Sequence, residues 1–317
     1  MNKPLLVVLL IFGVVAGVLL WHERAPGRSP VAPLVAGPDG LRPLRLGWWN
    51  LEFFGNRNDP PRTEENLQAI AEFVRGLDVQ VLGVCEVDGP KPLQDLCRRL
   101  GPNWKFAVGR SGYLGQDGRI APGIIWDHSR VEMLGAGELE SLRREQLFHR
   151  IPVTATFRCR NGGPDFRVVC LHLKAGREPD DMARRREEIV AVRAWLESLR
   201  ESPDEDGDIV VMGDFNHDAR AGEASLWTSD GFARFPSPRG NQRSIVHFNR
   251  QIDHILPLAG FDEIEARSLA VHNEQGMRDR EAWRRVYSDH FPLTIDLAPL
   301  PDDDPEAKFS AQGRRLR

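Results

Sequence analysis

The run Asp-Ile-Val-Val-Met-Gly-Asp-Phe-Asn, residues 208–216, is a strand that ends on chemistry. Ile209, Val210, Val211 and Met212 form an apolar stretch suited to a buried strand, and it stops abruptly at Asp214 and Asn216. The same pattern recurs along the chain. LRLGWW is followed by Asn50, VQVLGVC by Glu86, and RVVCL by His172 and then Lys174. Asp253 sits within QIDHIL, and Ser288-Asp289-His290 precedes the last apolar run. Each run is apolar enough to be buried, and each delivers a polar group at its edge.

Between these runs the middle of the chain alternates strand and helix signals. Helices are expected over residues 63–74, with a capping residue at Thr63, over 92–100, and over 179–199 with Met182, Ile189, Val192 and Leu196 on one side. Short strands are expected at 44–49, 79–84, 106–108, 123–126, 131–134, 208–212, 252–256, 264–271 and 293–297. Residues 152–157 and 166–173 read as a hairpin around Asn161-Gly162-Gly163-Pro164. Many short strands with few helices imply an α+β sandwich, two sheets face to face with helices outside.

The chain has 317 residues, 41% hydrophobic and 28% charged, the values of an ordinary globular protein. The net charge of -4 gives no global basic field for holding nucleic acid, so phosphate binding must be local or assisted by a metal. The ends differ from the middle. Residues 1–21 read as a signal anchor, with a cleaved signal peptide as the alternative, because residues 4–21 carry no charge. Residues 22–42 form a Pro- and Gly-rich linker, 43–298 the folded domain, and 299–317 a charged, disordered tail. Positive charge at the short N-terminal end places the domain outside the cytoplasm: membrane-anchored, or secreted or periplasmic if the segment is cleaved. Cys85 and Cys170 read as small buried residues, and a Cys159–Cys170 bridge is open only to an oxidising compartment.

Any one of these strand-end residues alone is more readily a turn or capping residue than a catalyst. Together they are harder to dismiss. Four carboxylates sent from core strands to neighbouring places repel unless a cation neutralises them. A hard divalent ion held by carboxylate and amide oxygens is the simplest neutraliser. Cys and His spacing shows no zinc signature, which favours Mg²⁺ or Mn²⁺.

The motifs WNLEFF, GVCEV, LHLKAG, GDFN, QIDHI and SDHFPL, in this order over residues 44–297, resemble the endonuclease/exonuclease/phosphatase superfamily. The resemblance implies a four-layer αββα sandwich like that of deoxyribonuclease I and a metal-dependent phosphoesterase. It implies metal binding by Glu86 with Asn50 beside it, and it counts Asp289 with them. His290, oriented by Asp253, is the implied general base. Asp214, Asn216 and His172 are implied to surround the scissile phosphate. Arg150 resembles a phosphate-contacting arginine, although a solvated strand-edge charge reads equally well, and Lys174 is counted as a second phosphate contact. Glu52 is a supplementary ligand only if its strand continues. Arg184-Arg185-Arg186 reads as a solvated helix face in preference to a phosphate rim, residues 110–119 are a weaker cleft candidate, and the tryptophans read as packing residues in preference to stacking platforms. A nuclease is the leading reading, with nucleic acid as substrate and a monomer expected. A phospholipid or small phosphate ester is the alternative substrate. A binding module without catalysis is disfavoured, since pure binding has no need of an Asp–His pair.

Overall fold

The computed structural model describes residues 43–55, 61–112, 119–143, 147–160, 162–202 and 207–303, all within a unit spanning Pro33–Arg317. The expected anchor at 1–21, the linker up to residue 42, most of the 113–119 loop and the tail beyond residue 303 lie outside the described residues. Among the described residues no helix is long and apolar enough to cross a membrane.

The strands are β1 (Leu44–Phe54), β2 (Val81–Val87), β3 (Trp104–Val108), β4 (Ala121–Asp127), β5 (Val131–Glu138), β6 (Val153–Cys159), β7 (Asp165–His172), β8 (Ile209–Asp214), β9 (Asp253–Pro257), β10 (Ile264–Val271) and β11 (Leu293–Leu297). They form two mixed sheets, ordered β10-β11-β1-β2-β4-β3 and β5-β6-β7-β8-β9. The β6–β7 hairpin forms as its turn sequence predicts, with Phe157 opposite Phe166. The helices are α1 (Glu64–Leu77), α2 (Pro90–Leu100), α3 (Glu140–Arg143), α4 (Pro179–Arg200), α5 (Ala224–Thr228), α6 (Glu274–Arg278) and α7 (Arg280–Val286). Side chains of α1 and α2 pack with the first sheet, and those of α4 and α5 with the second, which makes the αββα sandwich.

Local chemistry explains the long helices. Thr63 caps α1 by a reciprocal box: its hydroxyl accepts the Asn66 N–H, and the Asn66 side chain accepts the Thr63 N–H. In α4 the apolar stripe of Ile189, Val192, Trp195, Leu196 and Leu199 continues toward the N-terminus through buried Arg185 and Glu188. Within the arginine triplet Arg186 is exposed, as expected of a solvated face, whereas Arg185 is buried and Arg184 partly so. Arg185 makes a buried ion pair with Glu223 at 2.9 Å and donates to the carbonyls of Lys174 and Gly176. Arg184 donates to the Leu147 carbonyl. Burial pushes the Glu188 carboxyl up to about 7 while it accepts the Lys174 N–H at 2.6 Å. This helix thus fixes the loop that leaves β7.

Two parallel pairs, β1 with β2 and β7 with β8, lie at the centres of the sheets. Their C-terminal ends carry Asn50, Glu86, His172 and Asp214. The antiparallel neighbours bring their N-terminal ends to the same edge, with Asp253 opposite Asp214 and His290 just ahead of β11. All four cysteines are free and buried. Two of them lie in the β-strand interior expected for them, Cys85 on β2 and Cys170 on β7.

The sheets approach closely at Gly83 in β2. A Cβ there would lie 2.6 Å from Cys170 Sγ on β7 and 2.7 Å from Met212 Sδ on β8. Gly83→Ala is expected to destabilise the domain by about 1–3 kcal/mol, the usual cost of overpacking a dense core. A fall in the urea midpoint at unchanged slope would register it; an unchanged midpoint would show that the sheets can separate freely.

Candidate active site

Asn50, at the end of the regular part of β1, lies between the two sheets. Its Nδ2 donates to Glu86 Oε1 at 3.0 Å and to Asp214 Oδ2 at 3.1 Å. One neutral amide nitrogen therefore serves two carboxylates from opposite sheets, Asp214 buried and Glu86 partly buried. Its Oδ1 is taken by the Glu52 N–H at 3.0 Å, which sets the amide's orientation. Asn50 thus presents its amide N–H to the acids while its Oδ1 accepts a backbone N–H.

Backbone strain aims two of these side chains. Glu86 has φ 59 and Asn216 φ 54, in the left-handed region that non-glycine residues seldom enter. The Glu86 carboxylate also accepts the Phe53 N–H at 3.1 Å. Asp214 Oδ1 accepts the Asn216 N–H at 3.0 Å, and Asn216 Nδ2 donates to the Leu173 carbonyl. Burial pushes the Glu86 carboxyl up. Burial, reinforced by neighbouring Asp253, pushes Asp214 up to about 7.

The second half of the site is a relay. His290 Nδ1 lies 2.7 Å from Asp253 Oδ2, and Asp253 Oδ1 accepts the Trp48 indole N–H at 2.9 Å. Both oxygens of Asp253 are thereby engaged. His290 Nε2 faces Asp214 Oδ2 and Asp289 Oδ1, each 3.8 Å away. Burial alone would lower the His290 pKa, but the Asp253, Asp289 and Asp214 charges outweigh it and hold the imidazole well above its ordinary value. His172 shows the opposite balance. Burial, with Arg150 and His290 nearby, drives its pKa well down, and its Nε2 lies 3.6 Å from Asp214 Oδ2. Its buried Nδ1 has no hydrogen-bond partner among the described residues.

Asp214, Asp253 and His290 place three ligand atoms within 4.8 Å of one another. Asp253, however, already has its charge partner in His290 and its second oxygen on Trp48. Glu86 and Asp214 hold only neutral N–H donors at hydrogen-bonding distance, and Asp289 faces the mouth with a partly exposed carboxylate. Among the described residues Glu86, Asp214 and Asp289 are thus carboxylates with no charged partner at hydrogen-bonding distance, a state that favours a cation nearby. Asp253 belongs to the acid–base unit.

Two expected phosphate contacts occupy other places. Arg150 Nε and Nη2 donate to the carbonyls of His172 and Leu173, at 2.9 and 2.7 Å, and so brace the end of β7. Lys174 pairs with Asp181 at 2.5 Å. In both cases a nearer acceptor claims the cation. The 110–112 stretch is structural as well: Glu138 accepts the Arg110 and Ser111 N–H groups.

A supplementary ligand role for Glu52 requires its strand to continue. The strand does continue, but β1 carries an irregularity after Asn50, with Glu52 at φ 43 and Phe53 at φ 49. This turns the Glu52 carboxylate toward Arg284, at 2.7 Å, and onto the Asp289 N–H, at 2.9 Å. Ser288 adds a second tie by donating to the Asn50 carbonyl at 2.7 Å. Glu52, Arg284, Trp48 and Ser288 are positioning residues, a role that strand-end pattern reading missed for all four. Only the adjacency of Glu52 to Asn50 hinted at one of them.

A two-sheet αββα sandwich with a histidine–aspartate pair beside paired acids defines a phosphoester hydrolase. A model of the "Endonuclease/Exonuclease/phosphatase family" matches residues 47–290, and the chain belongs to that family. It is similar to a deoxyribonuclease of Thioalkalivibrio sp. (strain K90mix), 27% identical over 294 residues that cover 87% of this chain and 77% of the relative. It has the fold of D. rerio TDP2, solved with a single-strand DNA product: TM-score 0.57, 17% identity, 80% of this chain and 98% of the other. A mannosyl-6-phosphatase of Bacteroides thetaiotaomicron is also similar, with TM-score 0.55, 16% identity, 80% of this chain and 98% of that one.

Two outcomes follow from the geometry. Glu52→Ala is expected to lower kcat by about ten- to a hundredfold, the loss of a charge-assisted hydrogen bond that sets Asp289 and His290. The metal concentration giving half-maximal activity should stay unchanged; a large shift in it would make Glu52 a ligand after all. For His290, the raised pKa means that the unprotonated base forms only as pH rises, so activity is lost as pH falls through that value. Asp253→Asn removes the largest of the charges that raise it. The acid limb of the kcat/KM profile should therefore move to lower pH while the plateau drops. A limb that stays in place would exclude His290 as the titrating base.

Proposed function

We propose that this hydrolase is a divalent-metal-dependent phosphodiesterase acting on nucleic acid, an endonuclease or exonuclease. The observation that carries the reading is the single Asn50 amide shared by Glu86 and Asp214. Two adjacent carboxylates, one buried and one partly buried, with so little compensation favour a cation, and their oxygen donors suit Mg²⁺ or Mn²⁺. When bound, such an ion neutralises non-bridging phosphate oxygens and stabilises the leaving oxygen.

The chain's own residues supply the rest. His290 Nε2 takes a proton from the attacking water, and Asp253 fixes the tautomer and stabilises the imidazolium that forms. His172, kept neutral by burial, acts as an N–H donor toward the phosphate and is poorly suited to protonate the leaving group. Asn216 has a second amide hydrogen to offer the same oxygens. The deoxyribonuclease relative and the TDP2 neighbour with its DNA product favour nucleic acid as substrate. The phosphatase neighbour keeps a small phosphate ester as the second reading, and a phospholipid falls with it. The uncharged run at 4–21, taken as an anchor or a cleaved signal, favours a domain outside the cytoplasm.

A substrate panel tests this. Plasmid DNA, RNA, sphingomyelin and a generic phosphodiester are incubated with the protein in Mg²⁺ or Mn²⁺, with EDTA and His290→Ala as controls. Nucleic acid should be cut, EDTA should abolish cutting, and His290→Ala and Asp214→Ala should lower turnover by about 10²- to 10⁴-fold or more without unfolding the domain. Cleavage of sphingomyelin with intact plasmid and RNA would reverse the substrate assignment, and activity in EDTA would refute the metal.

A further inference from the structure

Phe53, Val190, Phe248 and Leu300 are the large apolar residues left well exposed among the described residues, and Phe248 is 47% exposed. Val190 lies on α4 and Leu300 follows β11, whereas Phe248 sits at the mouth of the site. It belongs to the loop ahead of β9, which is tied to the catalytic segment at several points. The Val246 N–H donates to the Asp289 carbonyl at 2.7 Å, Ile245 pairs with His290 in an isolated bridge, and His247 Nε2 lies 3.9 Å from Asp289 Oδ2.

From the other side comes Arg177, in the loop that follows β7. Its guanidinium lies over the Phe248 ring, 4.8 Å from the centroid. Strand order places β8 between β7 and β9. A contact between the loop after β7 and the loop before β9 therefore spans the end of β8, where Asp214 and Asn216 emerge. The shelf made by Phe248 and Arg177 stands over the residues expected to hold the scissile phosphate.

We propose that this shelf is a nucleotide subsite: Phe248 stacks an unpaired base of a bound strand, and Arg177 meets the flanking phosphodiester. This deepens the nucleic-acid reading and rests on it. An exposed aromatic ring with a cation against it is the pairing that stacks bases without regard to sequence. The base must be unstacked from its neighbours to reach the ring, so single-stranded or frayed nucleic acid is the preferred form. The surroundings speak against lipid insertion. His247, Asn249 and Arg250 flank Phe248 in the chain and are exposed, so the aromatic stands in a polar loop.

The test uses the full chain with Mg²⁺, as wild type, Phe248→Ala and Phe248→Trp. The substrates are a single-stranded DNA oligonucleotide and the same oligonucleotide with abasic analogues on both sides of the cleaved linkage. Phe248→Ala should raise KM for the base-bearing strand by about 5- to 100-fold, leave the abasic strand unaffected, and be rescued by Phe248→Trp. An unchanged KM, or equal losses on both strands, would overturn the subsite while leaving a nuclease in place. Loss of binding to anionic phospholipid vesicles with unaltered strand cleavage would overturn it in favour of a membrane contact. A wild type that cuts neither strand yet hydrolyses a small phosphate ester would overturn the nucleic-acid reading and the subsite together.

Discussion

Glu86 and Asp214 come from different sheets, and one amide nitrogen of Asn50 holds both of them. Much of the architecture serves this meeting. It requires two sheets packed face to face, each with a parallel pair at its centre, so that the C-terminal ends of β1, β2, β7 and β8 open on one edge. It also requires a backbone turn at Glu86 and at Asn216, each costing about 1–3 kcal/mol of local strain. Buried carboxylates so arranged are unfavourable unless a cation or a proton joins them, as the raised Asp214 pKa registers.

The acid–base unit is coupled to the same packing. Trp48, on β1, fixes Asp253 on β9, and Asp253 fixes His290 just ahead of β11. The relay thus crosses from one sheet to the other and back. Around it, Glu52 with Arg284, Ser288, and the loop ahead of β9 hold the Asp289–His290 segment from three directions. On the opposite flank Arg150, Arg185 and Glu188 hold the segment leaving β7. Arg150, Arg185 and Lys174 are thereby committed to the chain's own carbonyls and carboxylates.

Legibility in the sequence followed interaction range. The β6–β7 hairpin, the α1 cap and the apolar runs were readable because their signals lie within a few residues of one another. The short helices α6 and α7 were not, since neither has the length to show a period; Trp283 of α7 is held by packing on Trp49, Phe73 and Phe291. The α4 arginines misled because buried and solvated charges look alike in sequence, and only the partner, Glu223, distinguishes them.

The sequence by itself determined the family, the layered α+β plan and the roster of acids and histidines, because strand-end motifs in fixed order are local patterns. Tertiary structure decided what each member of the roster does. Asn50 and Asp214 are 164 positions apart, and Glu52 and Arg284 are 232 apart. No local spacing encodes such partnerships. Whether Asn50 offers an oxygen or a nitrogen, whether Arg150 faces a phosphate or a carbonyl, and whether Glu52 binds a metal or a loop depend on which group stands opposite. That is set by how the two sheets pack.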